Sequence, residues 1–195
     1  MSKSSYEIAA TAARLVVEEG MDYGPAKRRA ASQLGCSEGL PDNRELEQAV
    51  RKHIEIFCTE SQPQELLALR LLALAWMERL AEFRPHLSGA VWQGTATRLS
   101  DVHLLLFCDD SKMLEIFLLD SGIRFHVQPV GPSRVMAVDC LTVYTHCPKL
   151  NDRIGIHLSL YDFDAVRGAL QPDRTGRVSM GDIKAVRRLL EASST

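Results

Sequence analysis

The strongest constraint on this chain is a change of hydrophobic period at Pro85. Before it, apolar residues recur at helical spacing; after it, short apolar runs alternate with turn residues. Over residues 7–19, Ile8, Ala12, Leu15 and Val16 fall on one helical stripe, and Gly20 is a natural stop. A second helix is expected over 25–34, with Pro25 early and Gly35 just after. A third is expected over 44–57, following the Pro41-Asp42-Asn43 cluster. Ser61-x-x-Gln64 reads as a capping box opening QELLALRLLALAWMERLAEF, a run apolar enough to be largely buried and to bridge the two parts.

Beyond Pro85 the runs GAVW, VHLLLF, IRFHVQPV, MAVDCLTVY and IGIHLSLYD read as strands. One helix is expected among them over 111–119, capped by Asp109 or Asp110 and closed by Gly122. Ser179-x-x-Asp182 is expected to open a last amphipathic helix through Leu190, with Arg187 and Arg188 near its C-terminal end. The expected fold is α+β: a helical module over residues 1–84, then a mixed β-sheet domain with flanking helices over 85–195.

Bulk properties remove several classes. No apolar run approaches the ~20 residues a membrane span needs, and the N-terminus lacks the pattern of a secretory signal, so a cytoplasmic protein is expected. Five cysteines, odd in number and scattered without a CxxC pair, fit free thiols packed as small hydrophobes. Net charge is −2, with 11 basic and 13 acidic residues through Arg84 and 12 of each after it. Contact with a nucleic acid would therefore have to be local, without a positive field to recruit it. The alanine and glycine arrangement of residues 26–36 hints at a helix-turn-helix, but Gly39 and Pro41 would break the recognition helix, so a solvated face is the better reading of Lys27, Arg28 and Arg29. Trp76 belongs to the core, and Trp92 is better read as packing than as a platform for a base. His126 and His146 have no companion ligands at a recognisable spacing, and Arg153 and Arg167 are isolated arginines.

The segment Gly89-Ala90-Val91-Trp92-Gln93-Gly94-Thr95-Ala96-Thr97-Arg98-Leu99-Ser100-Asp101-Val102-His103-Leu104 carries the sharpest signal. It resembles the signature of the nucleotidyltransferase superfamily, a Gly-Ser turn followed about a dozen residues later by Ser-Asp-x-Asp at the start of a strand. Gly89, Gly94, Ser100, Asp101 and Leu104 match in position. The strand and helix order through Asp162 extends the resemblance less specifically. The chain as a whole, helices included, also resembles a group of bacterial proteins, and that resemblance implies no function. The superfamily resemblance implies a nucleotide site at Gly89, Ala90, Gly94, Thr95 and Ser100, where a glycine turn admits phosphates to backbone N–H groups. It also implies a divalent metal held by carboxylates at i and i+2 on one strand and a third from a neighbouring strand.

The sequence departs from that pattern where the chemistry sits. Ala90 replaces the usual Ser, Gln93 the usual Arg, and His103 the second carboxylate. On IGIHLS the candidate third positions are Gly155 and His157, while Asp139 is a possible substitute on the preceding strand. Magnesium prefers oxygen ligands, so its site should be badly weakened. Asp101, His103 and His157 form a donor set suited to a transition metal, in which they would be metal ligands or catalytic acid–base groups. The alternative, preferred because spacing alone cannot supply ligand geometry, makes both histidines strand residues hydrogen-bonded to Asp101 in a vacated pocket. Two functions follow as expectations. One is transfer of a nucleoside monophosphate from an NTP to a hydroxyl of RNA, protein or a small molecule. The other is a catalytically degenerate relative that binds nucleotide, RNA or a partner protein, with an oligomer possible and no membrane involved.

Overall fold

The first helices form where the apolar stripe and the stop signals agree. In the computed structural model, which describes residues 3–36, 39–128, 137–162 and 178–192, helix α1 (Lys3–Glu19) buries Ile8, Ala12 and Leu15. It ends at Gly20, whose φ of +67° favours glycine. Helix α2 (Tyr23–Gln33) buries Ala26, Ala30 and Ala31, and helix α3 (Asn43–Phe57) buries Leu46, Val50 and Ile54. Asp42 caps α3 reciprocally: its carboxylate accepts from the Glu45 N–H at 2.7 Å, and the Glu45 carboxylate accepts from the Asp42 N–H at 2.9 Å. Alanines on α1 and α2 join the larger apolar residues of α3 in one core. Lys27 is held locally by the Pro41 carbonyl and Asn43, and Arg29 by Glu19.

The chain divides into two compact units, Met1–Leu66 with Thr95–Ser100, and Leu67–Gly94 with Asp101–Thr195. The division falls within helix α4 (Gln62–Arg79), which a short 3-10 turn (Ala81–Phe83) follows. The Thr95–Ser100 segment is fixed inside the helical unit. Gln62 Nε2 donates to the Ala96 carbonyl at 2.8 Å, and the Glu65 carboxylate accepts from the Arg98 N–H at 2.9 Å.

The second unit is built on a six-stranded mixed sheet. Its strands are β1 (His86–Ser88), β2 (Val102–Phe107), β3 (His126–Gln128), β4 (Ala137–Cys147), β5 (Asp152–Tyr161) and β6 (Met180–Gly181), in the order β3-β4-β5-β2-β1-β6. Among the described residues, only β2 and β5 pair in parallel. Helix α5 (Gly89–Gln93) follows β1, α6 (Ser111–Asp120) follows β2, and α7 (Ile183–Ala192) follows β6. The fold is therefore α+β, with N-terminal helices preceding a mixed sheet. Among the described residues, no helix is long and apolar enough to cross a membrane.

Strand alternation separates the two faces of the sheet. Leu87, Val102, Leu104, Leu106, Leu141, Val143, Ile154, Ile156, Leu158 and Leu160 share one face, and all are essentially buried. The other face carries His103, Thr142, Tyr144, Arg153, Gly155 and His157. Arg70 is buried in this unit, and its Nε donates to the Val91 carbonyl of α5 at 3.2 Å.

Three local expectations change. GAVW, read above as extended, is helical: strand pairing stops at Ser88, and Gly89 at φ +67° turns the chain into α5. The last helix starts after Asp182 rather than Ser179, because Met180 and Gly181 pair with β1 and Asp182 accepts from the Ala185 N–H at 2.8 Å. Gly181 permits this because a Cβ there would run into the Trp92 ring. Trp92 donates its indole N–H to the Val178 carbonyl at 2.9 Å, a packing role. The run IRFHVQPV is extended over His126–Gln128; Pro129, Val130, Met136 and Arg167 lie outside the described residues.

Asp42→Ala removes the side-chain half of the α3 box and should destabilise the helical unit by about 1 kcal/mol. Urea unfolding followed by circular dichroism should show a lower midpoint with an unchanged slope.

Candidate functional site

Asp101 stands immediately before β2, and β5 runs parallel beside it, so Asp101 meets the early part of β5. Its Oδ1 accepts from the Gly155 N–H at 2.9 Å, and its Oδ2 lies 2.9 Å from His157 Nε2. Gly155 makes this approach possible. A Cβ at that position would sit 2.7 Å from Asp101 Oδ2 and 2.8 Å from Oδ1, closer than real contacts allow. The second nitrogen of His157, Nδ1, lies 2.9 Å from the hydroxyl of Thr142, a fully buried residue of β4. An ionised carboxylate only accepts, so Nε2 carries a proton toward Asp101. In the neutral ring Nδ1 accepts from Thr142; in the imidazolium it donates to it.

His103 pairs directly with His157 across β2 and β5, and the two rings stack with centroids 4.7 Å apart and planes 18° apart. One register line thus crosses five strands: Ser88, His103, His157, Thr142 and His126. On the near side, Gly89 borders His103: a Cβ there would be in ordinary contact with its Cδ2 at 3.4 Å, so the positive φ rather than crowding favours glycine. Asp139 does not enter this row. It pairs with Leu160, on the opposite face of β4 from Thr142.

The Asp101 carboxyl is held below its usual value. Burial alone pushes it upward, but hydrogen bonds from His157 and the Gly155 N–H, with the positive potential of His157 and His103, outweigh that. The group stays ionised and anchored near neutral pH.

The residues do not fit a divalent ion. Magnesium would find one carboxylate where it wants several oxygens. A transition metal needs imidazole lone pairs that converge in the ring planes, whereas two stacked rings project theirs side by side. Both nitrogens of His157 already have protein partners. Among the described residues, no three His, Cys, Asp or Glu side chains gather so as to hold a metal ion. Asp101, His103 and His157 are therefore brought together, as mutual partners rather than as ligands around a common point.

The positions expected to cradle a nucleotide are dispersed in role. Gly89 forms the turn at the end of β1, and Gly94 at φ +83° caps α5, its N–H donating to the Ala90 carbonyl at 2.9 Å. Ala90 lies half-buried within α5. Thr95 is buried in the helical unit, where its neighbour is Tyr23, and the Ser100 hydroxyl accepts from the Thr97 N–H at 3.0 Å. Sequence reasoning missed Thr142, a lone hydroxyl in the apolar run MAVDCLTVY. It also missed the approach of Asp101 to the backbone of Gly155. A small hydroxyl between the apolar residues Leu141 and Val143 was the available signal for the first.

No family model, curated protein or solved structure matches this chain.

Two outcomes follow from the Asp101 geometry. Because the folded carboxyl titrates below its unfolded value of about 3.8, its contribution to stability is fully present above that value and drains away as pH falls through the lower folded one. Asp101→Asn should therefore lower stability most above pH 4 and narrow its gap to the native protein in acid, as read by urea midpoints across pH 2–7. Gly155→Ala should cost about 1–3 kcal/mol through overpacking against the carboxylate. Its signature is loss of the same acid-limb dependence, visible in the same titration.

Proposed function

We propose that this chain is a nucleotidyltransferase-like protein that binds nucleotide without carrying out metal-dependent transfer. The observation that carries the proposal is the closed set of partners around Asp101. Its oxygens accept from Gly155 and His157, and His103 stacks on His157, at the positions where the resemblance calls for ligands of a shared metal. Exchanging carboxylates for imidazoles removes the negative charge that would offset two divalent ions beside a triphosphate. What remains is a rigid polar face that can hydrogen-bond a ligand but cannot activate a hydroxyl through magnesium.

The superfamily resemblance is supported by the path of the chain around this point. Strand β1 leads through the Gly89 turn and the short helix α5 to an antiparallel β2, with β5 entering in parallel on the far side. That path brings the end of the signature, Asp101-x-His103, against Gly155 and His157, the positions singled out for a third carboxylate.

The test is calorimetric titration of the native protein with ATP, GTP, CTP and UTP, with and without magnesium or manganese, alongside a pyrophosphate-release assay. The expected result is binding of at least one nucleotide with an affinity that metal changes less than about threefold, a shift well under 1 kcal/mol, and no pyrophosphate release. His103→Asp combined with His157→Asp should make binding depend on magnesium. Metal-dependent transfer by the native protein that Asp101→Ala abolishes would overturn the proposal in favour of an active enzyme.

A further inference from the structure

The second unit contains an open cavity of about 920 Å³. Its lining includes three guanidinium groups, Arg79 from α4, Arg124 from the approach to β3, and Arg153 from β5. It also includes the rings of Trp76, His126 and Tyr144, and no Asp or Glu is among the described residues that line it. Arg79 lies over Trp76 and Arg153 over Tyr144, each with its guanidinium carbon 5.7 Å from the ring centroid. The His126 ring meets Tyr144 edge to face at 6.2 Å.

Three cations sharing one concavity repel one another, and a protein ordinarily offsets this with carboxylates. Here it does not: among the described residues, none of the three arginines forms an ion pair, although Arg29, Arg51 and Arg187 each have a carboxylate partner elsewhere. The chain's net charge is −2, so the arrangement is not the by-product of a basic protein. A guanidinium placed over an aromatic ring, as Arg79 and Arg153 are, keeps N–H donors that can receive phosphate oxygens in pairs. The cavity is far larger than one phosphate needs and lies within the size range of sites for small organic ligands.

The geometry points to a binding site for a planar ring that carries two or more phosphate charges, with Arg79, Arg124 and Arg153 taking the phosphates and the exposed Tyr144 the ring. This deepens the nucleotide-binding reading, on which the choice of a nucleotide as ligand rests, by assigning the charged end of the ligand to this cavity. The two sites are linked through the sheet. Tyr144 pairs across the strands with Gly155, whose N–H is held by Asp101, and Arg153 is two residues away on the same face of β5.

The experiment is metal-free calorimetry of the full chain with ADP, adenosine and tripolyphosphate. It uses the native protein, Arg124→Ala/Arg153→Ala, and Arg153→Lys. The two altered arginines are exposed, and matching circular dichroism spectra and urea midpoints would establish that the variants fold. Native protein should bind ADP more tightly than either adenosine or tripolyphosphate, each of which supplies half of the recognition. Loss of each guanidinium should weaken ADP roughly tenfold, the size of one charge-assisted contact, so the double variant should lose about a hundredfold. Arg153→Lys should lose part of this, since it keeps the charge without the planar fork. Unchanged ADP affinity in the double variant overturns the cavity assignment while leaving nucleotide binding intact. Tripolyphosphate binding as tightly as ADP overturns the role given to Tyr144, and no binding of any probe overturns the site altogether. Metal-dependent transfer abolished by Asp101→Ala, with the arginine dependence preserved, would instead overturn the proposed function and leave this inference standing.

Discussion

A carboxylate half-buried at the foot of a strand has to find donors, because its desolvation is costly unless hydrogen bonds replace the lost water. Asp101 finds two on the neighbouring strand, the backbone N–H of Gly155 and the ring of His157. That requirement ties the start of β2 to one position on β5. Sliding the parallel pair by a single residue would present Asp101 with the wrong N–H and turn His157 toward the apolar face. Gly155 is part of the same constraint, since any side chain there would occupy the space of the carboxylate. Through this contact the register of the central pair is fixed, and with it the polar row from Ser88 to His126.

The parts of the fold legible in the sequence were those set by local chemistry. VHLLLF forms a strand because each alternate residue meets the buried face, and α6 begins and ends where Asp110 and Gly122 mark it. The first two helices end at glycine stops, and the third begins at the Asp42 cap and buries its apolar stripe. What the sequence obscured depended on pairing with distant segments. Val91 and Trp92 have the composition of a strand, but the positive φ at Gly89 ends β1 before them. Met180 and Gly181 are too short a run to announce a strand, and they become one only because β1 offers an edge. The Thr95–Ser100 stretch sits in the middle of the signature, yet Gln62 and Glu65 hold it in the helical unit. For the site, Asp101, His103 and His157 were legible as a group from the signature. Their stacking, the Thr142 contact and the role of Gly155 were not, because these follow from register and strand order.

Imidazoles at His103 and His157, where a divalent-metal site would need carboxylates, alter more than ligand type. Carboxylates on adjacent strands repel and stay apart until a cation joins them, so a metal site is an arrangement held open by its own charge. Neutral imidazoles have no such repulsion, and flat rings on neighbouring strands can stack, as His103 and His157 do. The remaining carboxylate then serves as an acceptor for one of them. The pocket closes on itself, and the Thr142 hydroxyl completes the hydrogen bonding of His157 from the buried side. A network with each of these groups partnered specifies one geometry more strongly than a set of ligands awaiting an ion.

The sheet therefore carries two regions with opposite logic. Around Asp101 the charge is satisfied internally, and the geometry is rigid and inward-looking. Around Arg153 and Tyr144 the charge is left without a protein partner among the described residues, and it faces an open volume. Both regions meet at the Tyr144–Gly155 pair, where the backbone of one strand supports each of them. A rigid anchor beside an unsatisfied cationic cavity is the arrangement expected of a recognition site, because positioning groups that do not reorganise reduce the entropy lost when a ligand arrives. Recognition would thus depend on a pre-set sheet geometry, with the hydrogen-bonded histidine holding the strand pair in place and the arginines meeting the ligand's charge.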